Sequence, residues 1–201
     1  MKNLIEKLKE YKKEIAGVAI VFASMAAVVS VVLLTPAKVP DVPEARAQYY
    51  CDKQTSFSFV LDVEKVNEDI EYNIRVDKSD LSKDNLMMTD TDDKKVAYTD
   101  VNGGQCRIYV DGELQCLVSD NISGETSRTI WNDNTEKIAT FTTSTILGYD
   151  GNVWAKKSKT FPSLDYVISV YDECPLDDET ILLIFASQAN ETHQYRPVVL
   201  A

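Results

Sequence analysis

One histidine, His193, stands among 201 residues. Its solitude removes the usual general base for a serine or cysteine nucleophile, and no G-x-S-x-G elbow accompanies it. Glycine is scarce, seven in all, and none gathers into a phosphate-cradling loop; Gly103-Gly104 reads as a turn. The four cysteines include no C-x-x-C pair, which argues against a zinc site. Positive charge is outweighed as well. The 21 Lys and Arg against 32 Asp and Glu leave a net charge of −11, a surface that repels nucleic acid. These shortages leave no catalytic constellation and imply no cofactor, so the chain reads as a protein other than an enzyme.

What the chain does have is one long apolar run, Ile15–Leu34, without a charge. As a helix rising about 1.5 Å per residue it would span about 30 Å, the thickness of a bilayer's hydrocarbon core. Lys2, Lys7, Lys9, Lys12 and Lys13 precede it, whereas Lys38 and Arg46 are the near cations beyond it. The positive-inside rule then puts the N-terminus in the cytoplasm and the C-terminal part outside, at a cell surface, in a periplasm or on a virion envelope. Residues 1–14 read as a cytoplasmic amphipathic helical segment, 15–34 as a transmembrane signal anchor, and 35–47, with Pro36, Pro40 and Pro43, as a stalk. Ala45-Arg46-Ala47 matches the A-x-A cleavage pattern but lies far from the apolar core, so retention is favoured. Processing after Gly17, as in a pilin-like filament subunit, is an alternative, although Phe22 stands where bacterial pilins carry an acidic residue. Ala19, Ala23 and Ala27 form a small-residue stripe suited to close packing of helices.

Residues 48–201 are patterned as one all-β domain. Phe57, Phe59, Leu61 and Val63 alternate with polar residues, as do Ile70, Tyr72, Ile74 and Val76. Further strands are expected over 95–101, 107–110, 113–119, 127–131, 137–146, 152–156, 166–171, 180–186 and 194–200, with Pro197 confining the last to an edge. No amphipathic helix is evident after residue 50. About nine to eleven short strands separated by turn signals predict a β-sandwich. Ile146-Leu-Gly-Tyr-Asp-Gly-Asn-Val-Trp-Ala155, followed by Lys159-Thr-Phe-Pro162, resembles the first strand region of profilins. The resemblance implies a strand–turn–strand unit on Asp150-Gly151 and carries no function.

An even cysteine count on the outside predicts two disulfides. A three-residue loop, Val110-Asp111-Gly112, would set Ile108 against Leu114 and Cys106 directly against Cys116, which keeps apolar and polar faces apart. The expected pairs are therefore Cys106–Cys116 and Cys51–Cys174. Asn121 and Asn190 open N-x-S/T sequons, glycan acceptors in a eukaryotic secretory pathway. Asp77, Asp80, Asp90, Asp92 and Asp93 supply clustered oxygens of the kind calcium takes, yet fit no EF-hand spacing and also suit a solvated loop. The expected function is a membrane-anchored structural or interaction subunit of a surface, envelope, filament or membrane assembly, with protein partners, self-assembly and bilayer contact through 15–34. A tethered adhesin or carbohydrate receptor is the alternative, with Trp131, Trp154 or Tyr49-Tyr50 as an aromatic platform.

Overall fold

A computed structural model describes residues 45–54, 58–79, 85–120, 127–160 and 165–194. Twelve strands form among them. They are β1 (Ala45–Lys53), β2 (Val60–Lys65), β3 (Glu71–Val76), β4 (Leu86–Thr89), β5 (Lys95–Asn102), β6 (Gln105–Val110), β7 (Glu113–Asp120), β8 (Arg128–Trp131), β9 (Lys137–Phe141), β10 (Thr145–Gly148), β11 (Val153–Lys159) and β12 (Tyr166–Tyr171). Each pairs antiparallel with its neighbours in sequence, and β1 pairs with β12, so the sheet closes into a barrel. This corrects the expected sandwich. A sandwich leaves edges; here the last strand returns to the first, with Tyr49 opposite Ile168 and Cys51 opposite Tyr166.

One helix follows, α1 (Asp178–Gln194). It corrects the strand expected over 180–186. Thr180 to Ser187 are buried without a break, and Ile181, Leu182, Leu183, Ile184, Phe185 and Ala186 are each 0% exposed. A helix apolar on every side is a core helix, and this one runs through the barrel. Side chains from opposite walls converge on it: Tyr49 and Arg46 of β1 on Asp178, Tyr72 of β3 on Glu179, Lys157 of β11 on Gln188, and Arg128 of β8 on Glu191. A twelve-stranded barrel is wider than eight strands can fill with side chains alone, and small inward residues widen it further. Ala47, Ala97, Ala139, Ala155, Cys51, Cys106 and Cys116 are all buried on the inner face. Gly148 leaves the space that the Trp154 indole fills.

The helix is latched where it enters. Arg46 sits in a bulge of β1, between the pairs Ala45–Tyr171 and Ala47–Val170, which turns its side chain to the mouth. Its guanidinium donates to the carbonyls of Cys174 (3.0 Å) and Leu176 (3.2 Å) and to Asp178 Oδ1 (2.6 Å). Tyr49 donates to Asp178 Oδ2 at 2.6 Å and Tyr72 to Glu179 Oε1 at 2.7 Å. The two carboxylates also lie in the first turn, where the helix dipole favours negative charge.

Residues 1–14, the span 15–34 with Gly17, Ala19, Ala23 and Ala27, and 35–44 of the stalk lie outside the described residues. Ala45 to Ala47 are part of β1 rather than stalk. Among the described residues no helix is long and apolar enough to cross a membrane. The expected picture of a sandwich held outside a membrane on a helical anchor is thus replaced by a closed barrel around its own helix. The expected strand 194–200 falls beyond the described residues except for Gln194, which ends α1.

Candidate functional site: an acidic groove on the barrel wall

Because Tyr49, Cys51, Leu61, Val63 and Ile74 are buried, period two sends their neighbours outward. Tyr50 and Asp52 on β1, Asp62 and Glu64 on β2, and Glu71, Asn73 and Arg75 on β3 line a groove of about 550 Å³, closed at one side by Asp90, Thr91 and Asp93. Six carboxylates face one guanidinium there. The register sets like charges opposite each other: Asp52 against Asp62, and Glu64 against Glu71. Such pairs are destabilising in an antiparallel sheet.

Hydrogen bonds hold part of this array. Asp62 accepts from Gln54 Nε2 (2.5 Å) and Asn73 Nδ2 (2.6 Å). Tyr50 donates to Asp165 Oδ2 at 2.7 Å, which pushes its phenol up to about 12. Partial desolvation and the carboxylates of Asp165 and Asp62 raise the carboxyl of Asp52. Arg75 reaches Asp93 at only 3.9 Å. The groove is strongly negative, and it suits a cationic partner better than an anion or an apolar ligand.

The expected calcium cluster is divided. Asp77 follows β3 at one end of the barrel, whereas Asp90, Asp92 and Asp93 follow β4 at the other, and Asp80 lies outside the described residues. Asp77 accepts from the Ser79 amide, and Asp90 from the amides of Asp92 and Lys94, so both build turns. Among the described residues no three His, Cys, Asp or Glu side chains are placed to hold a metal ion. Asn190 is 2% exposed on α1, inside the barrel, where a glycan has no room; Asn121 lies outside the described residues.

The four cysteines are free and buried, which corrects both disulfides. Asp111 and Gly112, with φ of 50° and 85°, form a two-residue turn joining Val110 to Glu113. A bulge at Gln115 then restores the faces, pairing Tyr109 with Leu114 but Ile108 with Cys116. Cys106 consequently faces Val118. Cys51 pairs with Tyr166 at the start of β12 and Cys174 follows its end, a separation of about 16 Å along the strand. Burial raises every thiol, Cys106 and Cys116 to about 12. A thiol reagent added without reductant should label no cysteine in the native protein and four after denaturation. Two or fewer in the denatured protein would restore a disulfide.

The aromatics expected as a platform are elsewhere engaged. Trp154 and Tyr49 are buried, Tyr50 lies in the groove, and Trp131 donates from Nε1 to Ser119 Oγ beneath the Lys137 ammonium. The stacked pair on the outer wall is instead Tyr98 and Tyr109, with ring centroids 4.8 Å apart. Sequence reasoning also missed Arg46, Tyr72, Asp178 and Glu179 at the mouth. The signal for the last two was present: Asp177-Asp178-Glu179 after Pro175 and before an apolar run is a helix start. Comparison of the chain with protein-family models, with curated proteins and with solved structures finds no match.

Proposed function

We propose that this barrel is a protein-interaction module whose acidic groove takes a Lys- or Arg-rich segment of a partner protein. The observation that carries the reading is the set of six carboxylates around one guanidinium, with two like-charge pairs in direct register. A partner that supplies cations offsets that repulsion on binding. The closed sheet supports the same reading by elimination. Among the described residues every strand has two partners, so strand addition to an open edge is not on offer and a partner must dock on a face. The helix through the barrel likewise fills the volume where barrels of this width hold ligands.

Glu64→Lys separates binding from folding. Lysine at 64 would face Glu71 as an opposite charge, which should stabilise the barrel by up to about 1 kcal/mol. The same change should weaken binding of a fluorescent oligolysine peptide roughly tenfold. Wild-type binding should also fall steeply as salt is raised. Equal affinity of the two proteins for the peptide, or affinity indifferent to salt, would remove the groove as the site.

A further inference from the structure

Outward positions of consecutive strands, from β2 to β7, line up into one rung across the wall. Register sets Val60 opposite Arg75, Arg75 opposite Met87, Met87 opposite Tyr98, Tyr98 opposite Tyr109, and Tyr109 opposite Leu114. Arg75 is the only charge among them. The Tyr98 and Tyr109 rings stack with centroids 4.8 Å apart and planes 7° from parallel, and both residues are half-buried, as is Met87. Leu114 is 37% exposed. From Met87 to Leu114 the rung is thus an apolar strip on the outer wall, in a chain whose net charge is −11. Polar groups rim it. On the next rung Arg107 stands opposite Asp100 with their charges 4.0 Å apart, and on the other side the Lys95 ammonium lies 4.5 Å from the Tyr98 ring centroid. Cross-strand packing accounts for the stacked pair, but an exposed apolar strip within a polar rim has the anatomy of a protein contact.

The strip is continuous with the acidic groove. Arg75 is at once the guanidinium of the groove and the register partner of Met87, where the strip begins. Four of the groove's carboxylates lie on β1 to β3, on the near side of that boundary, and the strip crosses β4 to β7 beyond it. A guanidinium at the boundary repels the cations of a bound segment. A segment that seats its lysines in the groove therefore meets Met87 with an uncharged residue. With strands about 4.8 Å apart, the middle of the groove at β2 and the stacked pair on β5 and β6 are about 17 Å apart, the length of about five extended residues.

We propose that the partner segment is bipartite, with lysines or arginines in the groove and, about five residues away, a large apolar side chain on the strip formed by Tyr98, Tyr109 and Leu114. This rests on the groove taking a basic segment. Because the wall offers no open strand edge among the described residues, the segment crosses the strands and is recognised by its side chains.

The test uses the full chain and three fluorescent peptides: an oligolysine with a serine tail, the same peptide with tryptophan at the fifth tail position, and that second sequence reversed. One of the two tryptophan orders should bind wild type roughly tenfold tighter than the serine peptide. That gain should persist in salt that weakens all three peptides, because apolar burial is not screened. Tyr109→Thr and Leu114→Ser should each lose most of the gain while binding the serine peptide as wild type does. Leu147→Ser, at an exposed apolar site elsewhere on the wall, should keep it. Equal affinity of wild type for all three peptides, or a tryptophan gain undiminished in Tyr109→Thr and Leu114→Ser, would overturn the strip and leave the groove standing. Serine-peptide affinity unchanged by Glu64→Lys would instead remove the groove, and the bipartite segment with it.

Discussion

Phe185→Ala is expected to lower stability by about 4 kcal/mol and Tm by about 10 °C. The ring is 0% exposed and meets Phe141 edge-to-face, with centroids 5.3 Å apart and planes at 85°. Truncation removes that contact and leaves a hole. In most cores the neighbours shift to fill part of it, but here the wall is a closed hydrogen-bonded ladder, so collapse is resisted and the cost should lie at the upper end of the usual range. The cavity should stay dry on its apolar side and take up benzene, which would then restore part of the lost Tm. Leu147→Ala is the control: the side chain is 42% exposed on the outer wall, and its loss should cost no more than about 0.5 kcal/mol. If the two variants unfold at the same denaturant concentration, the helix does not occupy the barrel.

The helix is also where sequence reasoning failed, for a physical reason. Helices are recognised by a polar stripe beside an apolar one, and Ile181 to Ala186 have none because the barrel surrounds them. A short apolar run of that kind reads equally as a buried strand. Where one wall face meets water, the alternation was legible: β3, β5, β6 and β7 fall where it predicts, and β12, buried on both faces, was legible as a short apolar run. β4 is four residues long, with Leu86, Met87, Met88 and Thr89 showing no alternation, and it was missed. The expected strand 137–146 is two strands, β9 and β10, because Thr142 and Thr145 bond to each other across a turn. The unit on Asp150-Gly151 is present as the β10–β11 hairpin, with Gly151 at φ 86°. Closure itself is non-local. Nothing near Tyr49 indicates that it will pair with Ile168, and a sandwich and a barrel share the same local pattern. The groove has the same character: Asp62, Glu64 and Glu71 were visible as outward polar positions, Asp52 lies on β1, a strand the alternation did not predict, and their juxtaposition follows from register alone.

Stability should fall steeply above about pH 9, through groups that the barrel keeps neutral. Burial raises the thiols of Cys51, Cys106, Cys116 and Cys174 above their ordinary 9.0. Burial, and then the bonds to Asp178 and Glu179, raises the phenols of Tyr49 and Tyr72 above 10.0, and burial alone does most for Tyr166. A group whose pKa is higher folded than unfolded holds its proton longer in the native state. Its contribution is complete below the unfolded pKa and is lost as pH rises through the folded one. The loss therefore begins near pH 9 with the thiols and continues past pH 10 with the phenols. Cys106 and Cys116, both shifted to about 12, would together cost on the order of 5 kcal/mol by pH 11. That is comparable with the whole stability of an ordinary domain. Lys157 opposes the trend, because its burial lowers its pKa and the penalty for charging it fades as pH rises, but it is one group against many. Urea midpoints measured from pH 7 to pH 11 should thus drop sharply in the upper half of that range. Tyrosinate absorbance of Tyr49, Tyr72 and Tyr166 should appear with unfolding rather than ahead of it. Cys116→Ala removes one of the titrating groups and should shift the drop to higher pH. A midpoint that stays level to pH 11, or phenols that all titrate near 10 in the folded protein, would mean that the barrel interior is open to water.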